Sequence, residues 1–128
     1  MHKLEKIADQ IRQKFDLRTA KRDQALAQAR QLTRACSLAI RAVHRDDKET
    51  MEMQLSEART LADKLHNDLV GHPDLFFAGY TQDALKEFVE ANVTCALIQK
   101  QPLLTPEELN VEESTYLNGL AEVVGELR

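Results

Sequence analysis

Apolar positions in the first third of the chain step by three and four: Leu4, Ile7, Ala8, Ile11 and Phe15, then, after a polar stretch, Ala25, Ala29, Leu32, Cys36, Ile40 and Val43. That is the period of one face of an α-helix. No Gly or Pro occurs before Gly71, so the spacing predicts one helix of about 40 residues, about 60 Å long at 1.5 Å per residue. The string HRDDKE is the expected corner, with Asp46 or Asp47 capping a new helix. Met51, Leu55, Ala58, Ala62, Leu65 and Leu69 then repeat 4-3-4-3-4, a narrow helix–helix seam, and Gly71 with Pro73 stop it. HPDLFFAGY reads as a short apolar connection to a third long helix from about Ala78 to Gln99. TPEEL reads as a short helix opened by a capping box, with Thr105 as cap, Pro106 at the first position and Glu108 reaching back. The last helix is expected from about Glu112 to the chain end, with Tyr116, Leu117, Leu120, Ala121, Val124 and Leu127 as its apolar face.

Composition agrees with these helices. Four Gly and three Pro in 128 residues, 30% charged and 5% aromatic side chains, favour long amphipathic helices over strands bounded by frequent turns. The expected class is all-α, an antiparallel bundle of long helices forming one domain over residues 1–128. No apolar run approaches the ~20 residues that cross a bilayer, and MHKLEKIADQIRQKFD is too polar for a signal peptide, so no membrane partner and a cytoplasmic location are expected. Cys36 and Cys95 have no second ligand at zinc spacing and are expected to be small core residues.

Charge divides the chain. Residues 1–45 hold 11 Lys and Arg against 4 Asp and Glu, a net of +7, whereas residues 46–128 hold 6 against 17, a net of −11. A basic segment on an acidic body suits nucleic acid at one end and metal at the other, or simply two halves that attract one another.

The third helix carries the most informative pattern. Apolar residues occupy most of its circumference, yet Asp83, Glu87, Glu90 and Thr94 fall in one narrow stripe. Carboxylates at that spacing repel, and burial raises the cost, so a proton, an Arg or a cation should neutralise them. Oxygen ligands of this kind suit Mg²⁺ or Mn²⁺. A solvated seam at a groove fits the spacing as well. Glu122 and Glu126 form a second i, i+4 pair, opposite the expected apolar face of the last helix, where a solvated polar face is the simpler reading. Gly119 and Gly125 in that helix cost about 1 kcal/mol each relative to Ala, which suggests close approach of a backbone or ligand. Arg30, Arg34, Arg41 and Arg45, spaced 4, 7 and 4, lie along one side of the first helix and offer a phosphate track or a salt-bridged face. No Gly-rich phosphate loop and no Ser/His/Asp or Cys/His arrangement accompanies them.

The strings RQLTRACSLAIRAVHR, HPDLFFAGYTQDALKEFVEANVTCALI, LLTPEEL and YLNGLAEVVGELR, in this order, resemble the translin family from about Arg30 to Arg128. The resemblance implies an all-helical fold, assembly into hollow oligomers, and binding of single-stranded RNA or DNA. In the factor X branch of the family it also implies RNA cleavage with a divalent metal, Mg²⁺ or Mn²⁺. The two acids of that branch's Q/K-E-Y/F-x-E-A motif fall on Glu87 and Glu90, the acid of its G-x-A-D-x-x-G-E-L motif on Glu122, and the second acid of the latter on Glu126. Glu87, Glu90 and Glu122 are therefore the expected catalytic and metal-binding residues, with Glu126 supporting the metal. Position 122 is Glu where the active pattern has Asp, one methylene longer. Family members continue through further helices, so the chain is expected to be a fragment or a short form whose groove another chain fills, and to form at least a homodimer. Two rivals remain: a nucleic-acid-binding scaffold with solvated acids, and a nucleotide pyrophosphohydrolase of the MazG type, which also uses E-x-x-E followed by another acidic pair.

Overall fold

Uninterrupted by Gly or Pro, 43 residues form a single helix, α1 (His2–His44), in the computed structural model, which describes residues 2–126. The turn that ends it places Asp46 at φ 61°, a left-handed conformation that Asp tolerates. Asp47 then caps α2 (Lys48–Leu69), its Oδ1 accepting from the Thr50 amide at 3.1 Å. A one-turn helix, α3 (Pro73–Phe76), lies within the expected apolar connection and leads into α4 (Gly79–Gln99). The capping box of α5 (Pro106–Leu109) forms in both directions between Thr105 and Glu108. The last helix, α6, spans Glu113–Glu126. Among the described residues the fold is all-α, a bundle of helices without strands.

Side-chain pairings give the directions. Gln28 Nε2 donates to Asp68 Oδ2 at 2.6 Å across α1 and α2, which run antiparallel from their shared corner. Arg59 of α2 lies over the Phe88 ring of α4 at 5.6 Å, and Met51 packs with Cys95, so α2 and α4 are antiparallel as well. The segment 100–112 then crosses back along the bundle. It is pinned by Arg59 Nη2 donating to the Glu108 carbonyl at 2.8 Å and by Tyr116 Oη donating to the Leu104 carbonyl at 2.7 Å. In consequence α6 starts beside Gln82, to which the Thr115 hydroxyl donates at 2.7 Å, and runs in the same direction as α4.

The core gathers the predicted seam of α2 with Leu32 and Cys36 of α1 and Ala84, Leu85, Phe88 and Val89 of α4. Small residues of α1, namely Ala25, Ala29, Ala35, Ala39 and Ala42, are all buried, which lets the neighbouring backbones come close. Both cysteines are buried and free.

One apolar face stays uncovered and another is rotated from its expected position. Leu4, Ile7, Ile11 and Phe15 are helical as predicted but cover nothing within the chain. Every residue from 2 to 20 is exposed, Leu4 at 64% and Phe15 at 59%, so the first half of α1 projects from the bundle as an arm. Periodicity reports the conformation of a segment and leaves its partner undetermined. In α6 the inward face is Thr115, Gly119 and Val123, with Tyr116 and Leu120 half-buried, whereas Leu117, Ala121 and Val124 are exposed. The expected face residue Leu127 lies outside the described residues. Gly119 sets this rotation, because a Cβ built on it would come within 2.6 Å of Val89 Cγ1 and 3.1 Å of the Lys86 carbonyl oxygen. The close approach expected at Gly119 is thus present. Nothing lies within 4 Å of a Cβ built on Gly125.

Candidate functional site

Turning α6 onto its smallest residue brings its acidic side toward α4. Glu90 is buried in the middle of α4, 4% exposed, with Glu87 one turn before it and Glu126 of α6 beside it, both close enough to share its proton. Burial above all, then Glu126 and Glu87, push the Glu90 carboxyl up to about 9. Among the described residues Glu90 has no cationic partner. A proton therefore neutralises it at pH 7.

The rest of the acidic stripe spreads along α4. Asp83 is exposed at one end. At the other, Thr94 is 2% exposed and its hydroxyl oxygen has no hydrogen-bond partner. From α1, Cys36 sits close enough for Glu87 and Glu90 to act on its thiol, which burial chiefly and those two acids further push up to about 12. Glu122, one turn before Glu126, is half exposed and pairs with Lys86 Nζ at 3.5 Å, apart from the cluster around Glu90.

Beside these acids, α1 and α4 flank an open groove of about 600 Å³, lined among others by Arg30, Arg34, Tyr80, Asp83, Lys86 and Glu87. Two of the four arginines on the expected track therefore meet the acidic stripe across one groove. Arg41 is exposed farther along α1, and Arg45 is bound into the corner, with Nη2 3.2 Å from Asp47 Oδ2. Lys86 was not among the expected site residues. It is the single Lys or Arg of α4, immediately before Glu87, and that isolation within an apolar and acidic helix was the available signal.

The donor chemistry of the acid cluster fits a hard divalent cation: carboxylates on helices, one of them buried without a cationic partner among the described residues. Among the described residues, however, no three His, Cys, Asp or Glu side chains already stand as a group that could hold a metal ion. Clustered carboxylates that share a proton occupy positions that differ from those around a cation. None of the described helices is long and apolar enough to cross a membrane.

No protein-family model matches the chain. Over 109 residues it is 36% identical to an uncharacterized protein of Methanocaldococcus jannaschii, a match covering 84% of this chain and 48% of that one. The fold superposes on the crystal structure of apo-NeC3PO, a translin-family protein, with a TM-score of 0.83 and 21% identity, covering 92% of this chain and 62% of that one. The chain thus spans less than two thirds of the length of either protein. With six helices in this order among the described residues and this superposition, the chain has a translin-like fold.

Proposed function

We propose that the chain binds single-stranded RNA or DNA in the groove between α1 and α4, and cuts RNA there with Mg²⁺ or Mn²⁺. The observation that carries this reading is the meeting of Arg30 and Arg34 with Asp83 and Glu87 at one groove, Glu87 being also a neighbour of the buried Glu90. Arg30 and Arg34 hold backbone phosphate, for which a guanidinium offers paired donors. Lys86, on the same wall, adds a third positive charge and steadies Glu122. Glu87, Glu90 and Glu126 would hold the cation, with Glu122 at the rim. A bound divalent cation supplies polarisation of the phosphate and a lowered pKa for the attacking water. Loading it requires Glu90 to release its proton, so binding is expected to strengthen as pH rises. In keeping with the hollow oligomers of the translin family, the working form is a homo-oligomer.

Internal nicking of single-stranded RNA by the purified protein with Mn²⁺, abolished by Glu87→Ala or Glu90→Ala, is the expected result. Equal residual cleavage by the wild type and both variants would leave a nucleic-acid-binding scaffold. That second reading draws on the pairing of Glu122 with Lys86, which keeps one expected ligand out of the cluster. Hydrolysis of free nucleoside triphosphates without RNA cleavage would favour the pyrophosphohydrolase.

A further inference from the structure

The groove between α1 and α4 continues toward the arm. On α1, Arg18, Arg22, Leu26, Arg30 and Arg34 follow one another at intervals of four. Residues so spaced form a single ridge along a helix, with one step about every 6 Å and about 24 Å from Arg18 to Arg34. The four arginines of this ridge are all exposed, and none forms an ion pair among the described residues. Leu26, Arg30 and Arg34 line the groove already described. Arg18 and Arg22, with Lys21, line a second pocket of about 570 Å³, whose other wall is His72, Asp74 and Leu75 at the start of α3. In the opposite direction the ridge loses its charge, since the next step of four after Arg34 is Leu38, and Arg45 is held by Asp47.

The two walls keep in step. α1 and α4 run in the same direction, each antiparallel to α2, so residues 18–22 of α1 face 72–75 just as 26–34 face 80–87. α3 is fastened to the first turn of α4, where the Thr81 hydroxyl donates to the Leu75 carbonyl at 2.7 Å and Gln82 Nε2 to the Phe76 carbonyl at 2.8 Å. The second pocket therefore lies at the arm end of the groove, on a wall fixed to the one that carries Tyr80 and Asp83. Its charge, taken from the lining alone, is Arg18, Lys21 and Arg22 against Asp74. Lys21 is half-buried and forms no ion pair among the described residues. Asp16 and Asp23 are neighbours in sequence but do not line the pocket. Guanidinium groups without carboxylate partners offer paired donors to the two outer oxygens of a phosphodiester.

We propose that this pocket is a second phosphate site on the path of one strand. Single-stranded RNA or DNA lying in the α1–α4 groove continues along the ridge to the root of the arm, where Arg18, Lys21 and Arg22 hold a backbone phosphate opposite His72. The inference rests on the nucleic-acid reading of the groove and extends the strand past Tyr80, away from Arg41 and Arg45.

Titrations with single-stranded RNA of graded length, from ~4 to ~16 nucleotides, test it on the wild type and two double variants. Arg18→Gln/Arg22→Gln alters the pocket, and Lys3→Gln/Arg12→Gln removes the same charge from the arm off the ridge. Wild-type affinity should keep rising with length until a strand spans both sites. In the pocket variant it should level off at a shorter length, and the log–log salt slope for the longest strand should fall by about 1.4, the share of two phosphate contacts. The off-ridge variant should match the wild type. All three should keep the same circular dichroism, since the replaced side chains are exposed. A wild type that binds no single-stranded RNA of any length overturns the groove reading and this pocket together. Length dependence and slope unchanged in the pocket variant overturn the pocket while the groove stands. Equal weakening by the off-ridge variant does the same, because the arm is then a general basic surface. A pocket variant that binds RNA like the wild type but loses self-association, measured by light scattering, would give the pocket to an acidic protein segment and overturn the inference.

Discussion

Gly119 of α6 rests directly on Val89 of α4, with no room for even a methyl group between them: a Cβ there would lie 2.6 Å from Val89 Cγ1 and 2.7 Å from Val89 Cβ. This contact sets the distance and rotation of α6 and therefore puts Glu126 beside Glu90. Gly119→Ala should destabilise the protein by about 1–3 kcal/mol through overpacking, outweighing the ~1 kcal/mol that Ala contributes in a helix interior. Gly125→Ala, in open space, should stabilise by up to about 1 kcal/mol. Thermal melts of the pair distinguish a positional requirement from simple helix propensity.

The raised pKa of Glu90 makes stability fall with rising pH. The folded state keeps the proton up to about 9, whereas the unfolded chain releases it near the ordinary value of 4.5. Between those values the unfolded state binds fewer protons, so the contribution is full below pH 4.5 and is lost as pH climbs toward 9. Glu90→Gln should flatten this dependence and raise the melting temperature by several degrees at pH 8. In the wild type, Mn²⁺ at pH 8 should raise it too, and in the Gln variant it should not. A melting temperature independent of pH from 5 to 8.5 in both proteins would show that Glu90 is ionised throughout.

Salt dependence separates the arginines. Arg30→Gln and Arg34→Gln should each reduce the log–log slope of single-stranded RNA binding by about 0.7, the share of one phosphate contact. Arg45→Gln, at a residue tied to Asp47, should leave the slope nearly unchanged and loosen the α1–α2 corner instead. Arg41, exposed beyond the groove, is expected to contribute only if the strand runs the length of α1. Titrations at a series of salt concentrations check all four.

Leu65 and Phe15 provide a control on the arm. Leu65, fully buried in the α2 seam, should cost about 2–5 kcal/mol on replacement by Ala. Phe15→Ala should cost within about 0.5 kcal/mol in a dilute monomer, as at other exposed positions. Chemical denaturation at nanomolar concentration measures both.

Much of this fold was legible because local chemistry decides it. An unbroken run without Gly or Pro gives α1, Asp47 starts α2, and the Thr105–Glu108 capping box starts α5. The rotation of α6 was not legible. A helical wheel weighs apolar side chains, so it selects Leu117 and Val124, whereas the docking is decided by a missing side chain at Gly119. The alignment of Asp83, Glu87, Glu90 and Thr94 follows from spacing alone. That Glu90 is buried while Asp83 is exposed depends on how α6 and α1 cover α4, which spacing does not contain. Arg45 is distinguished locally by Asp47 two residues on, whereas Arg34 has no such signal and its place in the groove depends on how α4 packs against α1.

Cys36 lies fully buried beneath Glu87 and Glu90, and Cys95 is buried higher in the bundle, near Ala39, its thiol pushed up by burial to about 11. At neutral pH neither carries thiolate, and neither can be reached by a reagent while the helices stay together. Alkylation at each therefore acts as a clock for the parting of α1 from α4, one set beside Glu87 and Glu90 and the other about one helical turn nearer the corner. If the two run at different speeds, the slower marks the end about which the bundle hinges, and a strand of RNA in the groove should slow the clock at Cys36 more than the one at Cys95.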